Sequence, residues 1–198
     1  MRGRGISRPC AYRYPRGRIP VQYADLGMRF LIGTVFLIAF VSKVSSRRSF
    51  AAFAGSVVEL SPFPAAASRF LAFAVAAGEF LVCLLLLMPA PRAAGLGFAW
   101  AAVLLLVFAV AVGCAVARGT RSACRCFGAS TAPLGVRHIV RNLVLAVLAA
   151  GGTAVAQTTG AGHPAGLVIA ALGGLLIGGL LAALDSIVDL FRPLRAKS

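Results

Sequence analysis

Acidic residues are scarce in this chain of 198 residues: five Asp and Glu stand against 20 Lys and Arg, which gives a formal net charge of +15. Charged residues of either sign make up only 13% of the sequence, whereas 60% of it is hydrophobic. Unbroken apolar stretches recur along most of the length, which is not the pattern of an ordinary soluble domain. The composition therefore excludes that class and indicates a membrane protein.

The positive charge is not gathered into one basic soluble face, as nucleic-acid binding requires. The arginines lie instead between the apolar runs and at the ends of the chain. Such positions suit side chains that snorkel to the membrane surface and contact lipid headgroups. We therefore expect membrane lipid, and not nucleic acid, to be the partner of these residues.

A cleavable secretory signal is not expected either. Residues 1–22 are rich in Arg, Gly and Pro, and no small-residue cleavage site bounded by a short apolar core follows them. The sequence predicts a disordered cytoplasmic tail over 1–22, a transmembrane domain over 23–190 and a basic tail over 191–198.

Five apolar runs are long enough to cross a membrane, because a hydrocarbon core of about 30 Å needs roughly 20 helical residues. A spanning backbone must satisfy its own hydrogen bonds, so each run is predicted to be a helix, antiparallel to the next. The predicted fold class is all-α, a polytopic helical bundle with four to five transmembrane helices. The connection over 42–64 is typical of a short amphipathic surface helix that ends before Ser61. The five runs cover residues 24–42, 66–88, 94–117, 137–156 and 165–185.

A Cys-x-Cys pair, Cys124 and Cys126, lies before the fourth run. Arg118, Arg121 and Arg125 place positive charge next to the thiols, which favours the reactive thiolate. Such a pair can close into a disulfide, exchange with the disulfide of a partner or bind a soft metal ion. The pair is therefore the predicted catalytic centre, and the alternative is two inert residues at a helix end.

His138, Arg141 and Asn142 follow the pair at helical spacings of three and four, so they share one face at the mouth of the fourth helix. A histidine there can accept a thiol proton, stabilise a thiolate or complete a soft-metal site with Cys124 and Cys126. The alternative is an interfacial histidine with a hydrated ring.

Glu79 lies inside the second apolar run, where a charge is costly and therefore informative. Its depth is about 13 Å from the inner end of that helix, and we predict an intramembrane ion pair with the long side chain of Arg29. The alternative is a protonated Glu79 hydrogen-bonded to a neighbouring helix. Cys83 shares the face of Glu79 and is expected to pack in the core, whereas Cys114 either packs or serves as a resolving thiol.

Gly174 and Gly178 form a Gly-x-x-x-Gly ridge in the fifth run. Such a ridge permits close helix contact, within the chain or with another subunit. We expect the contact to lie within the chain.

The thiol-bearing connection is predicted to be extracytoplasmic. If the Arg-rich tail stays in the cytoplasm, the connections over 43–65 and 118–136 lie outside. The count of Lys and Arg in the connections opposes this arrangement, whereas the dominance of the first helix and the oxidising chemistry expected of the thiols favour it. The expected location is the cell membrane, crossed several times.

Together these features resemble the family of the methylamine utilisation protein MauE, within the broader DoxX-like membrane group. The resemblance covers about residues 24–156, and its most specific part is Cys124-x-Cys126-Phe-Gly followed by the helix that carries Arg141 and Asn142. The Arg-rich N-terminal tail departs from the family pattern. The other matching features are Gly33 to Lys43 closing helix one, Ser61-Pro-Phe-Pro before helix two and Glu79 inside it.

The resemblance implies a multi-pass membrane protein linked to methylamine metabolism. The family role would be maturation of the disulfide-rich small subunit of methylamine dehydrogenase, alongside a thioredoxin-like partner. The hypothesis for this chain is a membrane thiol–disulfide oxidoreductase in which Cys124 and Cys126 pass electrons to or from an extracytoplasmic thioredoxin-like protein. A quinone is the candidate electron acceptor, although no motif identifies one. The supporting residues are expected to be His138, Arg141, Asn142, Glu79, Arg29 and Lys43.

Two alternatives stay open. One is a binding module that holds Cu(I) on Cys124, Cys126 and His138 for delivery to a metalloenzyme, since thiolate and imidazole suit that ion. The other is a purely structural membrane subunit, in which the two cysteines form a permanent staple.

Overall fold

The structure is a computed structural model that describes residues 19–60, 64–118, 136–156 and 163–190. These ranges contain six α-helices and no strand, and every helix except α2 is long and apolar enough to cross a membrane. The prediction of an all-α polytopic bundle is confirmed, with five spanning helices in the part of the chain described. The helices are α1 (Ile19–Val44), α2 (Arg47–Leu60), α3 (Ala65–Leu87), α4 (Pro91–Ala117), α5 (Val136–Val155) and α6 (Pro164–Leu190).

Proline marks the start of three spanning helices. Pro64 is the N-cap residue of α3, while Pro91 and Pro164 are the first residues of α4 and α6. Proline suits these positions because the first N–H groups of a helix have no partner within the helix. The outer limits differ more from the prediction: α1 begins at Ile19, five residues early, and α6 runs to Leu190, five residues late.

Successive spanning helices are antiparallel. The ring of Phe98 in α4 lies against Gly152 in α5, while Gly113 near the other end of α4 lies close to Ile139. The end of α1, the start of α3, the end of α4 and the start of α5 therefore meet at one end of the bundle. We call this the thiol-loop end, because the connection that carries Cys124 and Cys126 in the sequence runs between α4 and α5.

The main core lies between α1, α3, α4 and α5, and small residues let these helices approach closely. Helix α6 packs mainly along α1, parallel to it. Gly174 lies against Gly27, and Gly178 lies against Leu31. The glycine ridge is thus used within the chain, as expected. The largest apolar side chains buried in the core are Phe36, Phe98, Ile32, Leu105 and Leu145.

Helix α2 connects α1 to α3. Its start is capped by Ser46, whose Oγ accepts a hydrogen bond from the backbone N–H of Ser49 at 3.0 Å. The predicted amphipathic helix is confirmed, and it ends before Ser61 as expected. It does not lie only along the surface, however, because Phe53 is 1% exposed and packs with Ala72 of α3.

Candidate functional site

Five polar or charged side chains are buried among the described residues, and they follow a pattern. Four of them lie within six residues of a helix terminus at the thiol-loop end. The fifth, Glu79, lies deeper in α3 and is bound by one of the four. The interior of the bundle is therefore polar on the side that faces the thiol-bearing connection. The five residues are Lys43, Ser68, Glu79, Arg141 and Asn142.

Lys43 and Glu79 form an ion pair, and both side chains are 0% exposed. Nζ of Lys43 donates to Oε1 of Glu79 at 2.7 Å and to Oε2 at 3.0 Å, and it also donates to the carbonyl oxygen of Ala39 at 3.3 Å. The ammonium lies 5.0 Å from the ring centroid of Phe53 in α2 and 6.0 Å from that of Phe108 in α4. Four helices, α1 to α4, thus meet around a single charged group.

The predicted Arg29–Glu79 pair is wrong. Nε of Arg29 donates to Oδ2 of Asp25 at 2.9 Å, one turn away in α1, and its Nη1 donates to the carbonyl oxygen of Met88 at 2.9 Å. The antiparallel register places Arg29 level with Met88, nine residues or about 13 Å from Glu79 along α3. Lys43, which extends back towards the bilayer centre, reaches Glu79 instead.

Helix α5 presents the polar residues that follow the thiol pair in sequence. Arg141 is 8% exposed and Asn142 2%, whereas His138 is half-buried. Nε and Nη2 of Arg141 are buried atoms, and so is Oδ1 of Asn142, which accepts no hydrogen bond. The first two turns of α5 therefore place the guanidinium of Arg141 and the amide of Asn142 inside the bundle at the thiol-loop end.

The cysteines have different surroundings. Cys124 and Cys126 lie outside the described residues. Cys83 is buried as expected, with Sγ 3.9 Å from the carbonyl oxygen of Gly33. Cys114 is exposed near the end of α4, so a buried packing role is wrong for it. Within the described ranges no three His, Cys, Asp or Glu side chains converge on a metal site.

Three residues of the site were not recognised from the sequence: one buried serine and the two aromatic residues beside the Lys43–Glu79 pair. Ser68 is fully buried in the first turn of α3, although its position next to Arg69 is typical of a membrane interface. Phe53 and Phe108 are of a residue type that is common at lipid-facing and core positions of membrane helices. Only the ring positions relative to Lys43 distinguish them, and those depend on how four helices pack.

A protein-family model described as Methylamine utilisation protein MauE matches residues 21–155. This range includes nearly all of α1 and the whole of α2 to α5, so the buried polar residues lie within it and α6 lies beyond it. No curated protein and no solved structure matches the chain.

Proposed function

The chain belongs to the MauE family, and from that premise we propose that it is a membrane thiol–disulfide protein that serves the maturation of extracytoplasmic proteins. Cys124 and Cys126 carry the exchange with a thioredoxin-like protein. One disulfide opens as another closes, and two electrons and two protons pass between the two proteins. In its finer form, the proposal names the small subunit of methylamine dehydrogenase as the protein that is matured.

The observation that supports this proposal most is the clustering of buried polar side chains towards the thiol-loop end. Charged groups inside a membrane are costly and are found mainly at functional sites. A bundle that only had to be stable could have filled these positions with apolar residues. The cluster therefore favours chemistry in the connection between α4 and α5 over a purely structural role.

The described residues suggest a division of tasks. Arg141 supplies positive charge at the mouth of α5, which would favour the thiolate form of a nearby cysteine. His138, half-buried one turn earlier, can take up the thiol proton. The Lys43–Glu79 pair positions α1 to α4 relative to one another, and Arg29 stabilises the opposite end.

The reduced thiol pair needs an electron acceptor, and a membrane quinone is the class that fits. Oxidation of the dithiol to a disulfide would reduce the quinone to the quinol, with transfer of two electrons and two protons. The orientation follows from the same chemistry, because disulfides persist on the oxidising side of the cell membrane. The thiol-loop end then faces outward.

Thiol trapping tests the proposal. In membranes that contain the Cys126→Ser variant, Cys124 has no neighbour to release a captured partner, so we expect a mixed disulfide on a non-reducing gel that disappears on reduction. The matched control is Cys114→Ser in the same background, which removes an exposed thiol of α4 and should leave the adduct intact.

The opposite result would be an inserted protein that forms no adduct in either Cys126→Ser or the reciprocal Cys124→Ser variant. Stoichiometric copper lost on replacing either cysteine would then identify a Cu(I)-binding module. Lower stability of these variants without copper would identify a structural staple.

A further inference from the structure

A groove of about 600 Å³ opens at the side of the bundle between α1, α2 and α3. Its volume is in the range of small-molecule sites. The groove faces outward, since Phe73 is 64% exposed and Phe80 is 45% exposed in a helix that can span the membrane. Phe40 and Phe80 stack at one end, with ring centroids 5.2 Å apart. The apolar lining comprises Phe40, Phe50, Phe73, Phe80, Val44, Ala51, Ala76 and Ala77.

The other end of the groove is polar and positive. Ser46 and Arg47 line it at the start of α2, immediately after α1 ends. Arg47 is exposed and forms no ion pair with any described residue. None of the described residues that line the groove is acidic, and the carboxylate of Glu79 is already neutralised by Lys43. The groove thus joins an unneutralised cation to a long apolar surface.

We propose that this groove binds an anionic phospholipid, with the phosphate beside Arg47 and an acyl chain along the phenylalanine rings. The charge of Arg47 complements a negative headgroup, and the rings match the apolar chain that enters sideways from the bilayer. Phe73 and Phe80 are seven residues apart, so the apolar wall extends about 10 Å along α3 and accommodates part of one chain. The proposal is independent of the thiol chemistry.

Native mass spectrometry of the full-length protein in detergent tests the charge. Phosphatidylglycerol and phosphatidylcholine with identical acyl chains are added in equal amounts, and one phosphatidylglycerol should be retained preferentially. Arg47→Gln should weaken its apparent affinity about fivefold, the effect of one basic residue near a membrane surface. Arg48→Gln is the matched control, because this exposed neighbour carries the same charge but does not line the groove.

A second pair of variants tests the apolar part. Ala77→Phe fills the groove from an exposed position and should abolish preferential retention, whereas Ala74→Phe, also exposed on α3 but outside the lining, should not. Equal retention of the two lipids by the unmodified protein would overturn the proposal. Equal losses in the two arginine variants, unchanged retention in Ala77→Phe, or displacement of the lipid by a neutral quinone would overturn it as well.

Discussion

Lys43 and Glu79 place two formal charges inside a bundle whose outer surface is apolar. Two hydrogen bonds join them, and the ammonium also contacts a backbone carbonyl and two aromatic rings. The cost of taking both charges out of water is large and is offset only while the partners stay together. The pair therefore stabilises the particular arrangement of α1 to α4 more than it adds to the net stability.

Replacing one partner of the Lys43–Glu79 pair should destabilise the protein far more than replacing both. We expect Lys43→Met or Glu79→Leu alone to lower the free energy of unfolding by about 3–5 kcal/mol, because an unpaired charge stays buried. The double variant Lys43→Met with Glu79→Leu should recover most of that loss. Unfolding in mixed micelles, followed by circular dichroism, measures all three variants as a double-mutant cycle.

The matched control for this cycle is Arg29→Met, which removes the cation that was predicted to bind Glu79. Its effect should be additive with that of Glu79→Leu, since Arg29 pairs with Asp25 instead. Additive losses for Lys43 and Glu79 would contradict the coupling seen in the structure.

The sequence predicted which charged residue is buried in the membrane, but not the partner with which it pairs. Glu79 stood out because a carboxylate within an apolar run is rare. Its partner could not be chosen from depth along one helix, because the register between α1 and α3 decides which cation is level with it. Lys43 falls within the 42–64 connection that was predicted to form a surface helix, yet α2 packs over the end of α1 and Lys43 is buried.

Helices α1 and α6 approach each other backbone to backbone, and glycine explains this contact. A side chain at Gly178 would place its Cβ 2.6 Å from the carbonyl oxygen of Leu31 and 3.0 Å from Cβ of Thr34. The adjacent Gly179 has nothing within 4 Å of that position. The backbone of α1 therefore leaves no room for a side chain at Gly178, whereas a side chain at Gly179 would meet no neighbour.

Gly178→Ala should destabilise the protein by about 1–3 kcal/mol, because the rigid backbone of α1 cannot move aside without cost. Gly179→Ala is the matched control and should be neutral or slightly stabilising, since alanine favours the helix. Thermal unfolding of the two variants in the same detergent makes the comparison. A similar change in both would show that α6 does not pack through this ridge.

The sequence predicted the individual helices better than the contacts between them. Apolar length predicted four to five spans, and the amphipathic pattern predicted α2. Neither signal indicates that Phe53 of α2 turns inward towards Lys43, because the contact requires a residue of α1 and the face of α3 in their final positions.

At the scale of the molecule, the five spans of the described ranges place the start of α1 and the end of α6 on opposite sides of the membrane. The parallel packing of α1 and α6 agrees with this count, because the first and fifth spans of an alternating bundle run in the same direction. The connection after α1 and the connection after α4 therefore share one side. The connections before α4 and before α6 share the other.

Reporter fusions test this arrangement and its absolute orientation. We expect alkaline phosphatase fused after Arg118 to be active, because the thiol-loop end is proposed to face outward. The same reporter fused after Ala90 should be inactive, since that turn lies at the opposite end. Activity after Ala90 and none after Arg118 would invert the orientation, and activity at both positions would contradict the five-span bundle.

The parallel contact between α1 and α6 also has a consequence for synthesis. About 120 residues separate the end of α1 from the start of α6, so at about 5–20 residues per second the ribosome needs roughly 6–24 s to supply the partner. During that interval the face of α1 at Gly27 and Leu31 lacks the helix that covers it in the folded bundle. Gly27 has no side chain and that of Leu31 is apolar, so this face is compatible with lipid until α6 is synthesised.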